Sequence, residues 1–219
     1  MHIEFLIEDV SGKRMLELLV PKILPGTCTY KIHAYKGIGG KIPTEFKNNP
    51  KTARHRILLE NLPRLLSGYG RTFHDYGKDY RAAVVVVCDL DRRDKNTFES
   101  ELNDLLRKCD YEPDTKFCLA IEEGEAWYLG DQSAVLKAYP ACKKQEIRRY
   151  KQDSICGTWE KLANAIYPGG SSALLSQGRQ AIGKAKFDWA EKITPHMDVN
   201  QNKSPSFCKF RDTVKGLSR

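Results

Sequence analysis

The run "AAVVVVC", residues 82–88, limits the fold more than any other stretch. Small and β-branched apolar side chains in unbroken succession leave a strand no solvent face, and such strands belong inside parallel sheets covered on both sides. Three further segments read as strands: "HIEFLIE" (2–8), "TCTYKIHAY" (27–35) and "TKFCLAIE" (115–122). Helical spacing lies between them. Met15, Leu16, Leu19, Val20 and Ile23 share one stripe of residues 12–24; residues 53–66 form a second helix with a break expected near Pro63; residues 96–109 form a third, with Asn96 as N-cap and Phe98, Leu102, Leu105 and Leu106 facing inward. The order βαβαβαβ predicts an α/β core over residues 1–132, with a mainly parallel sheet and helices on both faces. Residues 35–52, rich in Gly, Pro and Lys, read as a loop, and "GIGGK" (37–41) lacks the Ser or Thr that a phosphate-binding loop carries after its lysine.

Beyond residue 132 the strand signal ends. Helices are expected around 133–139, 157–166, 179–193 and 206–217, with a Gly-Ser turn at "YPGGSS" (167–172), so residues 133–219 form a helical extension packed on the core. Charge divides at nearly the same place. Residues 1–140 hold 21 basic and 21 acidic side chains, whereas residues 141–219 hold 15 against 7, so the net charge of +8 comes entirely from the last third. Such an excess favours a polyanionic partner, with nucleic acid the leading class; its other reading is a solvated lysine-rich surface.

Seven cysteines without a C-x-x-C pair, and five scattered histidines, argue against disulfides and structural zinc. No apolar run approaches the roughly 20 residues that span a bilayer, and the N-terminus carries acids where an export signal carries basic residues. A soluble, cytoplasmic protein with no membrane partner is expected.

Ligands of open parallel sheets bind beyond the carboxyl ends of the strands, and acidic residues collect at those ends here. Glu8 and Asp9 close the first strand, Asp89 and Asp91 the third, and Glu122, Glu123 and Glu125 the fourth. If the third strand stays extended, Asp89 and Asp91 point the same way about 7 Å apart, able to share one ion. Crowded carboxylates call for a compensating cation, and oxygen ligation suits Mg²⁺ or Mn²⁺. Aspartates also cap helices at strand-to-helix turns, and Glu125 reads either as a further ligand or as a helix start beside Trp127. Receiver domains are too compact for the separation between these clusters, and haloacid-dehalogenase-type phosphatases put D-x-D after the first strand.

Glutamate after strand one and D-x-D after strand three resembles the toprim domain of topoisomerases, primases and overcoming-lysogenization-defect nucleases. "LIEDVSGKRML", "VVVVCDLDRRD", "IEEGEAWYLGD", "IGKAKFDWAEKI" and "NKSPSFCKFRDTV" together resemble a bacterial toprim-like family encoded beside ABC-type ATPases in phage-defence loci. Many toprim domains have glycine directly after the glutamate; here Asp9 follows, and glycine comes at Gly12. The resemblance implies that Glu8, Asp89 and Asp91 hold divalent metal and are catalytic, with Glu125 a candidate fourth ligand. It implies a metal-dependent nuclease acting on DNA or RNA, with an ABC-type ATPase as partner. Toprim topoisomerases use a tyrosine nucleophile, for which Tyr128 and Tyr150 stand as candidates; hydrolysis is the simpler chemistry. Lys13, Arg92, Lys184 and Lys186 are candidate phosphate contacts, the lysines equally solvated helix faces. Ser204 reads as an N-cap before Pro205 whose hydroxyl could also bind phosphate. The alternative from another class is a non-catalytic toprim-derived module that docks on the ATPase or on nucleic acid.

Overall fold

The computed structural model describes residues 1–40, 57–154 and 157–218. The first half alternates as expected: β1 (His2–Ile7), α1 (Val10–Ile23), β2 (Thr29–Ala34), α2 (Leu58–Asp75), β3 (Ala82–Asp89), α3 (Lys95–Leu106) and β4 (Thr115–Ala120). Helices follow: α4 (Glu125–Gly130), α5 (Gln132–Ala138), α6 (Lys144–Arg148), α7 (Thr158–Ile166), α8 (Gly170–Ser176), α9 (Arg179–Ile193) and α10 (Pro205–Leu217), with a 3₁₀ turn at Thr194–His196. Among the described residues the strands form one all-parallel sheet in the order β2-β1-β3-β4. The chain is therefore an α/β protein of Rossmann-like character. No helix among the described residues is long and apolar enough to cross a membrane.

Burial explains the layering. β3 is covered on both faces, as its valines require. Val85 and Val87 join Ile3, Phe5 and Ile7 against α1, Trp127, Trp189, Phe207 and Phe210, while Val84, Val86 and Cys88 face Leu58, Leu62 and Leu66 of α2 and Phe98, Leu102 and Leu105 of α3. Apolar residues of α4 to α10 enter the first of these layers, so the helices after β4 share the core of the sheet's α1 face. The indole of Trp127, fully buried, stacks on Phe210 at 4.8 Å between centroids and donates from Nε1 to Ser206 Oγ at 3.1 Å. That pairing ties α4, immediately after the acidic turn, to the start of α10.

Several local expectations are corrected. α2 runs straight through Pro63, because Leu58, Leu59, Leu62 and Leu66 are all buried and their packing outweighs the one backbone hydrogen bond that proline forgoes. Residues 53–56 of the expected helix, and the expected loop from Lys41 onward, lie outside the described residues. The N-cap of α3 is Asp94, whose carboxylate accepts from Thr97 N at 2.9 Å; Asn96 lies inside the first turn. α4 begins at Glu125, as the helix-start reading of that residue has it, α6 was not expected, and α8 begins within the expected Gly-Ser turn, at Gly170 with φ of +72°.

One junction yields a stability prediction. A Cβ on Gly130 would lie 2.1 Å from Asn202 Oδ1 and 2.8 Å from Ser204 N, the residues that bring the chain into α10. Alanine helps a helix by about 1 kcal/mol over glycine, but overpacking against backbone costs about 1–3 kcal/mol or more. Gly130→Ala should therefore lower the denaturant midpoint by about 2 kcal/mol equivalent at unchanged m-value. A gain in stability would show that the junction yields.

Candidate active site

β1 and β3 lie side by side with Ile7 level with Val87, so the residues after β1 meet the end of β3. Asp9 starts α1 as its N-cap, its carboxylate accepting from Gly12 N at 2.7 Å and from Ser11 Oγ at 2.9 Å. Gly12 makes the close entry possible, since a Cβ there would lie 2.7 Å from Ile7 Cδ1. Glu8 is thereby fixed between strand and helix, and its Oε2 accepts from the backbone N of Asp89 at 3.4 Å. Glu8, Asp9, Asp89 and Glu125 line one recess of about 30 Å³ with Lys186, floored by Val87, Ala120 and Met15. That volume admits a water molecule or a partly dehydrated cation.

Asp91 stands apart from them. β3 ends at Asp89, and Asp91 has φ of +50°, so the strand alternation that would align the two aspartates stops before it. Its N–H donates to Glu122 O at 2.9 Å, and its carboxylate, 48% exposed, accepts from Arg93 Nη1 at 2.9 Å. It sits on the rim, near enough for its charge to act on Glu8.

The third cluster divides by task. Glu122, at φ of +61°, accepts from Gly157 N and Thr158 N, both at 2.7 Å, and so caps α7. Glu123 accepts from Trp159 N at 3.2 Å and lies 3.3 Å from Lys186 Nζ. Glu125, 5% exposed at the start of α4, is also 3.3 Å from Lys186 Nζ. Lys186 comes from α9, which packs on α1. Four residues after Ile182 and three before Trp189, it lies on the inward stripe of that helix, and this placement is the signal that separates it from the solvated lysines.

The electrostatics are those of a site short of positive charge. Burial, reinforced by Asp9 and Asp91, pushes the Glu8 carboxyl up to about 7. Burial and then Glu8 push Asp89 well above the usual carboxylate range. Burial pushes Glu125 up to about 7 against the pull of Lys186. Burial works against the Lys186 ammonium, yet Glu125, Glu123, Asp89 and Asp9 drive its pKa up instead. One lysine does not offset the carboxylates gathered around it.

In kind, the donors suit a hard divalent cation: carboxylate oxygens with excess negative charge beside a small recess. Their arrangement is not that of a closed cage. Among the described residues no group of three or more His, Cys, Asp or Glu side chains is arranged to hold a metal ion. Asp91 is turned to Arg93, and Lys186 holds Glu123 and Glu125.

The other candidates sit elsewhere. Lys13 is on the outer side of α1, 3.8 Å from Glu17, and Arg92 and Lys184 are exposed. Ser204 is fully buried as the cap of α10, its Oγ donating to Asp153 Oδ1 at 2.7 Å and accepting from Phe207 N at 3.2 Å, which commits the hydroxyl to structure. Tyr128 and Tyr150 are 3% and 6% exposed, and burial drives the Tyr128 hydroxyl well above its ordinary pKa, so neither is poised as a nucleophile. The residues that sequence reasoning left out of the site are Asp9 and Glu123, whose capping roles conceal their charge at the recess. Comparison of the chain with models of protein families, with curated proteins and with solved structures finds no match.

Proposed function

We propose that the chain is a Mg²⁺- or Mn²⁺-dependent nuclease of toprim type that hydrolyses phosphodiesters of DNA or RNA, the effector of a phage-defence system linked to an ABC-type ATPase. The observation that carries the reading is the meeting of Glu8 and Asp89 in a recess with an excess of buried carboxylate. Those two residues would hold the cation, with Glu125 across the recess and Asp91 at its rim. Bound there, the ion would polarise a phosphoryl oxygen and offset the charge of the departing oxyanion. The chain supplies the rest. Glu125, with a pKa near neutrality, suits proton exchange with the attacking water. Trp127 and Tyr128, both buried behind the recess, close it to bulk water from below.

A second reading, a toprim-derived scaffold that docks on the ATPase or on nucleic acid, draws on Lys186, whose ammonium already occupies the acidic cluster. Metal affinity separates the two. On the nuclease reading, millimolar Mn²⁺ at ten to a hundred times its dissociation constant stabilises the wild type by about 1.4–2.7 kcal/mol, a rise of several degrees in melting temperature, and Asp89→Asn removes that rise. Absence of a Mn²⁺-dependent rise, together with no cleavage of plasmid DNA or tRNA with the ATPase present, would leave the scaffold reading.

A further inference from the structure

The nuclease reading leaves unexplained a dense run of like charge among the described residues. Residues 143–151, "KKQEIRRYK", carry five cations, Lys143, Lys144, Arg148, Arg149 and Lys151, all exposed. Several exposed cations elsewhere are neutralised by neighbours: Lys116 by Asp114, Lys209 by Glu99, Arg107 by Asp104. Among the described residues none of these five side chains has an ionic partner, and the one acid in the stretch, Glu146, is taken by Lys161 at 3.3 Å.

Such a run is usually mobile, but this one is anchored. Ile147 and Tyr150, 2% and 6% exposed, enter the core. Lys143 N donates to Ala165 O at 2.9 Å, Gln132 Nε2 to Ile147 O at 3.2 Å and Gln152 Nε2 to Leu129 O at 3.2 Å. Next along the chain, Asp153 clamps the start of α10 through Ser204 Oγ at 2.7 Å and Ser206 N at 2.6 Å. Folding therefore fixes five like charges on one short segment. Repulsion between Lys144 and Arg148, one helical turn apart, and the helix dipole acting on Lys143 and Lys144 both oppose that placement. Arg148 and Arg149 at the helix C-terminus recover only part of the cost. α6 packs on α7, Lys143 N meeting the C-terminal end of α7 at Ala165 O while Glu122 and Glu123 hold its N-terminus, so α7 links the platform to the acidic turn of the site.

We infer that residues 143–151 form a docking platform for the phosphodiester backbone of a duplex nucleic acid, which it presents to the carboxylate recess. The inference rests on the nuclease reading for the link between platform and recess. Charge density selects the partner: the five cations lie within nine residues, five of them the helix Lys144–Arg148, which rises only roughly 7 Å, and a duplex carries a phosphate about every 1.7 Å of its axis. Duplex is favoured over single strand because Tyr150, the one aromatic in the stretch, is buried and leaves no ring for bases to stack on.

The test is equilibrium binding of the Asp89→Asn protein, in EDTA, to a 30-base-pair duplex RNA, the matching duplex DNA and a single strand, across a salt series. Replacing all five cations by glutamine should weaken duplex binding about 100-fold near physiological salt and flatten the salt slope by about 3 to 4. Arg148→Glu/Arg149→Glu, which leaves Ile147 and Tyr150 in place, should lose at least as much per residue and covers the case in which the quintuple variant fails to fold. The preferred duplex identifies the substrate, and either one supports the inference. Unchanged affinity in a folded variant, equal affinity for single strand and duplex, or platform-dependent capture by phosphatidylserine vesicles without nucleic-acid binding would each overturn it. If the wild type cleaves nothing in Mg²⁺ or Mn²⁺ while platform-dependent binding persists, the nuclease reading fails and this one stands.

Discussion

Asp89→Asn is expected to abolish the proposed Mg²⁺-dependent cleavage and, in the same protein without metal at pH 7.5, to raise the melting temperature. Both effects have one cause. Asp89 faces Glu8 across adjoining strand ends, in a setting where burial and repulsion lift both carboxyls above their ordinary range. Ionising them therefore costs the fold free energy, which metal binding would repay as function. For Glu8 the sign follows from linkage: a carboxyl at about 4.5 in the unfolded chain and about 7 in the folded one keeps its proton longer when folded. The metal-free protein should lose stability as pH rises from about 4.5 to about 7 and change little above, with Glu8→Gln flattening that slope. Allowing for coupling to Asp89, roughly 2 kcal/mol is at stake, or about 4–8 °C in a chain of this size. Activity should fall at least about 1,000-fold if Asp89 holds the cation, since no neighbouring group reproduces its position at the end of β3. Thermal melts across pH, with and without Mn²⁺, and a gel-based cleavage assay check both halves. A variant that is inactive but also less stable would mean that Asp89 is a structural residue.

Much of this arrangement was legible in the chain before its fold. The unbroken valines of β3 required a doubly covered strand, and alternation with helical spacing required parallel pairing, so Glu8 and Asp89 had to share the carboxyl edge; that β1 and β3 are neighbours there was not written in the pattern. Asp91 was misplaced because alternation was carried one step too far. The backbone leaves the strand at Leu90 and takes a left-handed turn, a conformation that aspartate tolerates better than most residues. Glu122 illustrates a different limit. Its acidic neighbours suggested a ligand cluster, but its partners, Gly157 N and Thr158 N, come from a segment far along the chain that no local spacing connects to it. The helices after β4 were legible as helices, yet nothing in their periodicity said which of them would reach the recess.

Lys186 is the case that tests the electrostatics most severely. Replacing it by methionine should destabilise the protein by about 3–5 kcal/mol at pH 7.5, because removal of one partner from a buried ionic group leaves the others uncompensated. The competing expectation is that methionine, of similar shape, fills the space of a buried lysine at little cost, as it can where a whole ionic group is exchanged for apolar residues. Here only the cation would go, while Glu123 and Glu125 stay, 3.3 Å from the vacated nitrogen. The carboxylates also outweigh burial in setting the pKa of the lysine, so the attraction lost exceeds the desolvation relieved. Two controls follow from that balance. Adding Glu125→Gln should restore much of the loss, giving a coupling energy in a double-mutant cycle that a simple packing defect would lack. Acid should restore it too: without the ammonium Glu125 holds its proton to higher pH, so the deficit of Lys186→Met shrinks as pH falls toward 5. Stabilisation of the variant by Mn²⁺ beyond that of the wild type would further show that cation and lysine answer the same excess of charge. A loss that ignores pH, Glu125→Gln and Mn²⁺ alike would instead make Lys186 a packing residue.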